Sequence, residues 1–478
     1  MAASVVLGDD APAQVKVLFT TTETDEALQL PEAKRPLIVP ADIKRYGLSR
    51  ILNSESMLAT DRPIPFDFLV DGAYLRTTLE DYLKDNGISS ETTVTLQYVR
   101  SLVPPVFEAS FQHDDWVSSV DVNEKRLLSG SYDGLVRVWN AAGHVVATSP
   151  GGALGHTAAV KAARFVTASH IASAGLDRTV RIWKYGVEED EVMDGEAPAA
   201  VLKPLLELYG HKGSVDSLAA DATSKRVLSA SVDGAVGLWS ISKSSAPAAP
   251  ESLLPGAGAV AVPNKKRKIT SEVPRRGALA LIQAHKSAAT AAVFDPRDRT
   301  VGYSAGQDHA LCTLDLTTGQ VVSTVATSHS LLSLAAARGG SVLAAGNAAR
   351  NIVLVDPRAS VATTAVMTLR GHVNKVAALA AAPDNEYSLV SASHDGTCRI
   401  WDLRSSRKAV DGDSAEGTTT SISEAVYVID REGREGKRPL AGEGVKVFDV
   451  AWSASWGIVS GGEDKRVQIN RGRDLVQS

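Results

Sequence analysis

The chain has 478 residues, enough for one large domain and a second small one. Its net charge of −5 and isoelectric point of about 6.1 argue against nucleic acid as the main ligand. They do not exclude contact between a local surface patch and RNA. Only two cysteines occur, which fits a reducing compartment, and no apolar run has membrane-spanning length. We expect no signal peptide.

Residues 1–99 predict a small α+β domain. Strands are predicted at Gln14–Phe19, Pro36–Val39, Phe66–Val70 and Thr93–Tyr98. A helix is predicted from Ala41 to Leu52, and a capping box of Thr77 and Glu80 would open a second, short helix. Two strands, a helix, a strand, a short helix and a last strand predict a ubiquitin-like β-grasp domain.

Residues 106–478, after a linker at 100–105, carry a repeated motif. A run of small residues leads to an Asp and, six positions later, to a Trp or an apolar stand-in. The strongest copies have Asp133 and Trp139, Asp177 and Trp183, Asp233 and Trp239, and Asp395 and Trp401. Weaker copies run from Asp308 to Leu314, from Asp464 to Asn470 and from Ala349 to Val355. A period of about 40–45 residues is typical of WD-repeat blades, so the chain predicts a mostly β protein with a seven-bladed WD-repeat β-propeller.

A histidine is predicted to open most repeats and to bond the Asp of the same blade. The candidates are His113, His156, His211, His285, His329 and His372. A Ser or Thr and the Trp would complete a buried network, so these residues are expected to be structural rather than catalytic or metal-binding. The network is predicted at His156, Asp177 and Trp183, at His211, Asp233 and Trp239, and at His372, Asp395 and Trp401. In the last repeat, residues 442–445 stand in place of the histidine.

Three insertions, at 186–203, 241–280 and 404–440, follow third strands and are expected to leave the bottom face of the propeller. Since an open ring leaves an unpaired edge, we expect Val106–Phe111 to close the ring as the outer strand of the last blade. The top face would then stay relatively bare, and we predict that a partner docks on either the top or the lateral surface.

The second insertion contains a run of four basic residues. They are Lys265, Lys266, Arg267 and Lys268. We interpret the run as a nuclear localisation signal, and the alternative is a solvated charge run that aids solubility.

No pattern in the sequence predicts an enzyme. The phosphate-binding loop, the His-Glu-x-x-His motif and paired Cys-x-x-Cys motifs are all missing. The recurring aspartates resemble a ring of carboxylates, but each is expected to belong to the turn of its own blade. We therefore predict a protein without catalysis and without a cofactor of its own.

Several short stretches are more specific than a WD repeat. These are Pro65–Val70, Leu75 and Arg76, Gly87–Glu91 and Asp114–Ser119. With the basic second insertion, they make the chain resemble the ribosome-biogenesis WD-repeat subunit of the Pescadillo–block-of-proliferation (PeBoW) complex, which has a Notchless-type ubiquitin-like domain before seven blades. The resemblance covers nearly the whole chain.

The resemblance implies a set of partners and a location. The propeller would bind the WD-repeat block-of-proliferation protein, which binds Pescadillo, and the complex would act on pre-60S particles in the nucleolus and nucleoplasm. It would support processing of 27S, 5.8S and 25S–28S rRNA. The ATPase midasin would grip the ubiquitin-like domain and pull the complex off the particle.

The family's metal-contacting acid corresponds to Glu91. Its carboxylate would bind, in trans, the Mg²⁺ held by the metal-ion-dependent adhesion site of midasin, and Ser89 and Ser90 would contact the rim of that site. Without the resemblance, Glu91 reads as an ordinary solvated acid. Glu80 and Asp81 are its nearby rivals.

One alternative function is a substrate adaptor in a ubiquitin-ligase or proteasome pathway. That function would use an apolar patch on the sheet of the N-terminal domain, whereas midasin would use the acidic loop.

Overall fold

The structure is a computed structural model that describes residues 13–23, 25–60, 63–89, 91–186, 200–254, 273–358, 367–405, 407–408, 421–432 and 445–472. Two compact units are present, 1–103 with 404–408, and 104–403 with 409–478. The first boundary lies a few residues beyond the predicted 99, and 404–408, from the start of the predicted third insertion, group with the first unit. The described strands form one sheet in the first unit and seven in the second, and the predicted fold class is confirmed.

The first unit is a five-stranded sheet with two helices. Its strands, in spatial order, are Pro36–Pro40, Gln14–Thr20, Val94–Arg100, Phe66–Val70 and Ala73–Tyr74, and its helices are Arg45–Leu52 and Leu79–Asp85. Alternate residues of the second-listed strand, Val15, Val17 and Phe19, are fully buried, as period-two patterning requires. They pack with residues of both helices in one apolar core.

The first helix begins later than predicted, at Arg45 instead of Ala41. The backbone of the intervening residues is engaged elsewhere: Ala41 N–H donates to Ala13 O at 2.7 Å, and Ala41 O accepts from Glu80 N–H at 2.7 Å. Ile43 O accepts from the N–H of Leu79. These tertiary hydrogen bonds replace the helical ones that the sequence pattern suggested.

Each blade of the propeller contains four strands that pair antiparallel to their neighbours. The first blade has Val117–Val122, Leu127–Ser131, Val136–Trp139 and Val145–Thr148. The second has Val160–Thr167, His170–Gly175, Val180–Lys184 and Lys203–Tyr209. The third has Val215–Asp221, Arg226–Ser231, Ala235–Ser240 and Ala280–Gln283. The fourth has Ala289–Phe294, Val301–Gly306, Ala310–Asp315 and Gln320–Ala326.

The last three blades follow the same plan. The fifth blade has Leu331–Ala337, Val342–Asn347, Ile352–Val355 and Met367–Leu369. The sixth has Val376–Ala381, Ser388–Ser393, Thr397–Asp402 and Tyr427–Asp430. The seventh has Val447–Ser453, Gly457–Gly462 and Arg466–Gly472, and its outer strand is Pro105–Gln112. The N-terminal strand therefore closes the ring, in a register from Gln112 opposite Arg466 to Pro105 opposite Gly472.

The three insertions join third to fourth strands, and each returns through a short strand that adds to the preceding blade. These covering strands are Ala200–Val201, Arg275–Gly277 and Ser421–Ser423, and they pair in parallel with the outer strands of the first, second and fifth blades. The predicted third insertion, 404–440, was too long, because it contains the outer strand of the sixth blade. This outer strand, Tyr427–Asp430, has only four residues, and its apolar pattern is too weak to be distinguished from a loop.

Short 3-10 helices complete the described structure, at Glu26–Leu28, Glu32–Lys34, Gly152–Leu154, Glu251–Leu253 and Arg338–Gly340. Among the described residues, no helix has the length and apolarity needed to cross a membrane. Cys312 and Cys398 are buried and form no disulfide.

Candidate functional site: the acidic loop, the blade network and the top face

Glu91 lies in the turn between the second helix and the last strand of the N-terminal unit. Thr92 fixes this turn, because its Oγ1 donates to Ser89 O at 2.7 Å and its N–H donates to the same oxygen at 3.2 Å. The N–H of Glu91 donates to Ser89 Oγ at 3.3 Å. The side chain of Glu91 is exposed, and its carboxylate makes no ion pair with the described residues. The carboxylate is thus presented to solvent on a fixed turn.

The two rival acids are already engaged. The helix is capped by Thr78 rather than by the predicted Thr77: Asp81 N–H donates to Thr78 Oγ1 at 3.1 Å, and this hydroxyl donates to the Asp81 carboxylate at 2.6 Å. Thr78 has the extended backbone of an N-cap residue, which moves the box by one position. Glu80 instead pairs with Lys84 at 2.5 Å, one helical turn away.

Two groups of predicted site residues lie outside the described residues. They are Ser90, which neighbours the acidic turn, and the basic run Lys265–Lys268.

Three blades carry the complete polar network. In the second blade, His156 Nδ1 lies 2.8 Å from Asp177 Oδ2 and His156 Nε2 lies 2.7 Å from Ser173 Oγ. Trp183 Nε1 donates to the same hydroxyl at 2.7 Å. The third blade joins His211, Asp233, Ser229 and Trp239 in this way, and the sixth joins His372, Asp395, Ser391 and Trp401. Both ring nitrogens of each histidine are occupied, so the network serves the fold.

The aspartates of these networks are held ionised. Burial alone would raise the pKa of Asp177, but the hydrogen bonds from His156 and Thr179 outweigh it and lower the pKa to about 2. The pKa values of Asp233 and Asp395 are lowered in the same way, against the effect of burial, by their own histidines. Within the described ranges, no group of three or more His, Cys, Asp or Glu side chains is placed to hold a metal ion.

The first and fourth blades keep part of the network. In the first, His113 Nε2 reaches Ser129 Oγ at 2.8 Å, but its Nδ1 lies 3.3 Å from Phe111 O, and Asp133 pairs with Arg137 at 2.7 Å instead. In the fourth, the histidine bonds both Asp and Ser, and only the Trp is replaced, by the buried Leu314.

The fifth blade has lost the network, and the predicted His329 does not take part in it. Register shows why: Leu331 lies opposite Asn347 as Val376 lies opposite Ser393 in the sixth blade, so Thr327 occupies the histidine position. Thr327 Oγ1 donates to the carbonyls of His309 and His329, at 2.9 and 3.0 Å. His329 itself is exposed.

The seventh blade replaces histidine with arginine. Arg431, which follows the outer strand of the sixth blade, pairs with Asp464 at 2.6 Å and donates to Ser460 Oγ at 2.7 Å. Its side chain is buried. Of the stretch 442–445 that stands in place of the histidine in the sequence, residues 442–444 lie outside the described residues. The partner of the Asp and Ser is Arg431, which reaches them from a position close to the preceding strand.

An aromatic cluster lies on the top face, the face of the Asp-bearing turns. It consists of Trp116, Tyr132, His394 and Phe448, with ring centroids 5.4 Å apart for Trp116 and Tyr132 and 5.5 Å apart for His394 and Phe448. Lys161 Nζ donates to the hydroxyl of Tyr132 at 2.8 Å. Trp116 is 37% exposed. Exposed tryptophan and tyrosine in a packed group are typical of the centres of protein interfaces.

Comparisons with known proteins agree with this architecture. The NLE (NUC135) domain model matches residues 15–83, and the WD domain, G-beta repeat, model matches 106–140, 148–184, 202–240 and 363–402. A protein named ribosome biogenesis protein YTM1, from Chaetomium globosum, is 61% identical over 98% of this chain and 98% of its own length. The chain belongs to the YTM1 family.

Other members of the YTM1 family are similarly close. The protein of that name from Podospora anserina is 60% identical over 98% of this chain and 99% of its own, and the one from Neurospora crassa is 58% identical over 98% of both. The resemblance drawn from sequence is confirmed. Among solved structures, the WD40 β-propeller domain of Doa1 matches 78% of this chain and 98% of its own with a TM-score of 0.53. At 18% identity, that match supports the propeller fold alone.

Sequence reasoning missed three features of the propeller: Arg431, the covering strands and the packing of the aromatic cluster. Of these three, only the aromatic cluster is marked in the sequence, because the stretch Asp114–Ser119, which contains Trp116, departs from an ordinary WD repeat. The WD-repeat model matches the four blades that keep Trp and none of the three that have lost it, which reflects the same divergence.

Proposed function

We propose that this chain is a non-enzymatic assembly factor of the large (60S) ribosomal subunit. The observation that carries the proposal is the full-length similarity to proteins named for ribosome biogenesis. In this role the chain joins the block-of-proliferation protein and Pescadillo on pre-60S particles, in the nucleolus and nucleoplasm, and supports 27S, 5.8S and 25S–28S rRNA processing. The basic run at 265–268 is suited to nuclear import.

The N-terminal domain acts in this proposal as a handle for midasin. Mg²⁺ prefers oxygen ligands and takes them with nearly octahedral geometry, so a carboxylate on a fixed turn suits an open coordination position. Glu91 has such a carboxylate, whereas Glu80 is paired with Lys84 and Asp81 with Thr78. Pulling on the domain through this contact would release the complex from the particle.

Binding of the full chain to the adhesion-site domain of midasin tests the handle, with Mg²⁺ and with EDTA. We expect Glu91→Gln and chelation each to weaken binding by tenfold or more, because the neutral amide is a much poorer ligand for Mg²⁺. Glu80→Gln is the matched control and should bind as the wild type does. Binding that survives both chelation and Glu91→Gln would remove this mechanism.

The top face is the proposed docking surface for the partner propeller. Trp116 is exposed and packs against the half-buried Tyr132, and Lys161 adds a positive charge beside them. All three insertions follow third strands, which end on the opposite face. Crosslinks from the partner that map only to the bottom loops would contradict this placement.

A ubiquitin-ligase or proteasome adaptor is the second candidate function. It requires an apolar patch on the N-terminal sheet. Among the described residues of this domain, the large apolar side chains that are exposed are Ile38 and Tyr46, one on the sheet and one on the first helix. Leu37 and Val39 face the core beside that helix, so Ile38 points to the other side of the sheet. Two separated side chains make a poor patch, and the assembly-factor role is favoured.

A further inference from the structure

The outer strand of the fourth blade, Gln320–Ala326, is an open sheet edge. It pairs with the third strand on one side, and no described strand pairs with the other. Its seven residues include no charge and no proline, which are the features that usually protect an edge from pairing with another chain. Val322 is 67% exposed.

The other open edges are different in character. The outer strand of the seventh blade contains Pro105 and Glu108, and that of the sixth ends at Asp430. The third blade offers only the four residues Ala280–Gln283. Among the described outer strands, the fourth blade thus has the longest uncharged open edge.

The open edge matches the positions where the covering strands bind. Thr324 lies opposite Cys312 in the third strand, just as Glu207 lies opposite Arg181 in the second blade. Glu207 N–H donates to the carbonyl of residue 274, which leads into the covering strand, at 3.0 Å. The fourth blade therefore presents, at Thr324, the backbone position that a covering strand uses in the second.

The direction of the backbone supports this equivalence. Thr327 N–H donates inward, to His309 O at 2.7 Å. Because N–H groups alternate in direction along a strand, those of Thr324 and Ala326 point outward. The N–H groups of Thr324 and Ala326, and the carbonyl group of Thr324 between them, are therefore available to hydrogen-bond an added strand.

We propose that the outer edge of the fourth blade binds an extended, uncharged segment of a partner protein as an added parallel strand. Main-chain hydrogen bonds would supply affinity, and Val322 and Val325 would favour β-branched or apolar side chains on the segment. The parallel direction follows from the chain itself, since all three covering strands run parallel to the strands they cover.

Two other occupants fit the dimensions less well. A second copy would need an interface of roughly 20–30 residues a side, and this edge offers seven. A covering strand from this chain would come from the connection after the third strand of the fifth blade, residues 356–366. That connection has 11 residues, whereas the shortest connection that supplies a covering strand, 185–202, has 18.

Photocrosslinking in living fungal cells that depend on the full chain tests the proposal. The probe is Ser323→p-benzoylphenylalanine, since Ser323 is exposed in the middle of the edge. It is combined with Thr324→Pro, which removes an outward donor without breaking a backbone hydrogen bond inside the blade, or with Val322→Lys, which adds a charge and leaves the backbone intact. The contact of the Thr324 hydroxyl with Cys312 Sγ is lost in Thr324→Pro and in Thr324→Val alike. Thr324→Val keeps the donor and is the matched control.

We expect a crosslink to one short peptide of another protein, identified by mass spectrometry. Its yield should fall at least tenfold with Thr324→Pro and with Val322→Lys, and stay unchanged with Thr324→Val. The proposal is overturned by a crosslink to residues 356–366, to a second copy or to RNA, by no crosslink, or by a yield that ignores both disruptive variants. Because the readout does not depend on particle association, it can fail or succeed separately from the assembly-factor role.

Discussion

Arg431 donates two hydrogen bonds to the carboxylate of Asp464, from Nε to Oδ2 at 2.9 Å and from Nη2 to Oδ1 at 2.6 Å. The guanidinium also donates to Ser460 Oγ, and the equivalent serines of the second, third and sixth blades bond both the Trp and the His of their own blade. One arginine thus replaces the histidine of the blade that closes the ring. Its planar fork matches a carboxylate better than a histidine does.

Arg431→Ala should therefore destabilise the propeller strongly. It leaves the carboxylate of Asp464 without its buried partner, which typically costs about 3–5 kcal/mol in the free energy of unfolding. Urea denaturation followed by tryptophan fluorescence measures the change. The control is Arg466→Ala, which removes an exposed pair with Glu432 and should cost about 1 kcal/mol or less. Equal losses in the two variants would contradict the proposed role of Arg431.

The stability of the first blade should fall in mild acid. Burial, followed by the charge of Arg137, lowers the pKa of His113 to about 4, whereas an unfolded histidine titrates near 6.5. The unfolded chain then binds protons first as the pH falls, so stability is full above about 6.5 and is lost as the pH falls toward 4. The loss is at most about 3 kcal/mol.

Denaturation midpoints measured between pH 7 and pH 4 check this dependence. His113→Gln should flatten the slope of stability against pH, and His329→Gln, at an exposed histidine, should not. A slope that is the same in wild type and His113→Gln would show that other groups govern acid sensitivity.

Trp116→Ala should weaken binding of the partner propeller by tenfold or more, because truncating a central aromatic residue commonly costs about 2 kcal/mol. Isothermal calorimetry with the purified block-of-proliferation propeller measures the affinity. Val232→Ala truncates an exposed side chain of a turn in the third blade, outside the aromatic cluster, and is the matched control. Equal affinities for wild type and Trp116→Ala would place the interface elsewhere.

The covering strand of the second blade should depend on a buried acid. Glu207 pairs with Arg181 at 3.1 Å and with Arg275, which lies in the covering strand, at 3.3 Å. Glu207→Leu should release this strand, so amide hydrogen exchange at residues 275–277 should quicken at least tenfold. Arg276→Ala, whose side chain lies apart from Glu207, should leave exchange nearly unchanged, and slow exchange in Glu207→Leu would sink the idea.

Much of the fold could be predicted from sequence because the Asp and Trp of a strong repeat lie only six positions apart. Together they mark the turn between the second and third strands of one blade. Asp177 and Trp183 are an example, and the WD-repeat model matches such blades. The closing strand was also predictable, since the last repeat supplies only three strands and Val106–Phe111 alternates before the first histidine.

The features that sequence reasoning missed involve residues whose contact partners lie far apart in the chain, or positions that residue type alone does not identify. Arg431 reaches Asp464 across 33 residues, and no pattern marks an arginine as a substitute for histidine. His329 was chosen by residue type, whereas pairing register gives its position to Thr327. The covering strands are two or three residues long and are defined only by their pairing with another strand, so no periodic pattern in the sequence predicts them.

The strand Pro105–Gln112 has a mechanical consequence. This strand follows the N-terminal domain directly in the chain, and it also closes the ring as the outer strand of the seventh blade. Tension transmitted along the chain from the N-terminal domain enters the propeller at this strand, so it loads the seam with Arg466–Gly472. The strength of that seam sets how hard the protein can be pulled before the ring opens.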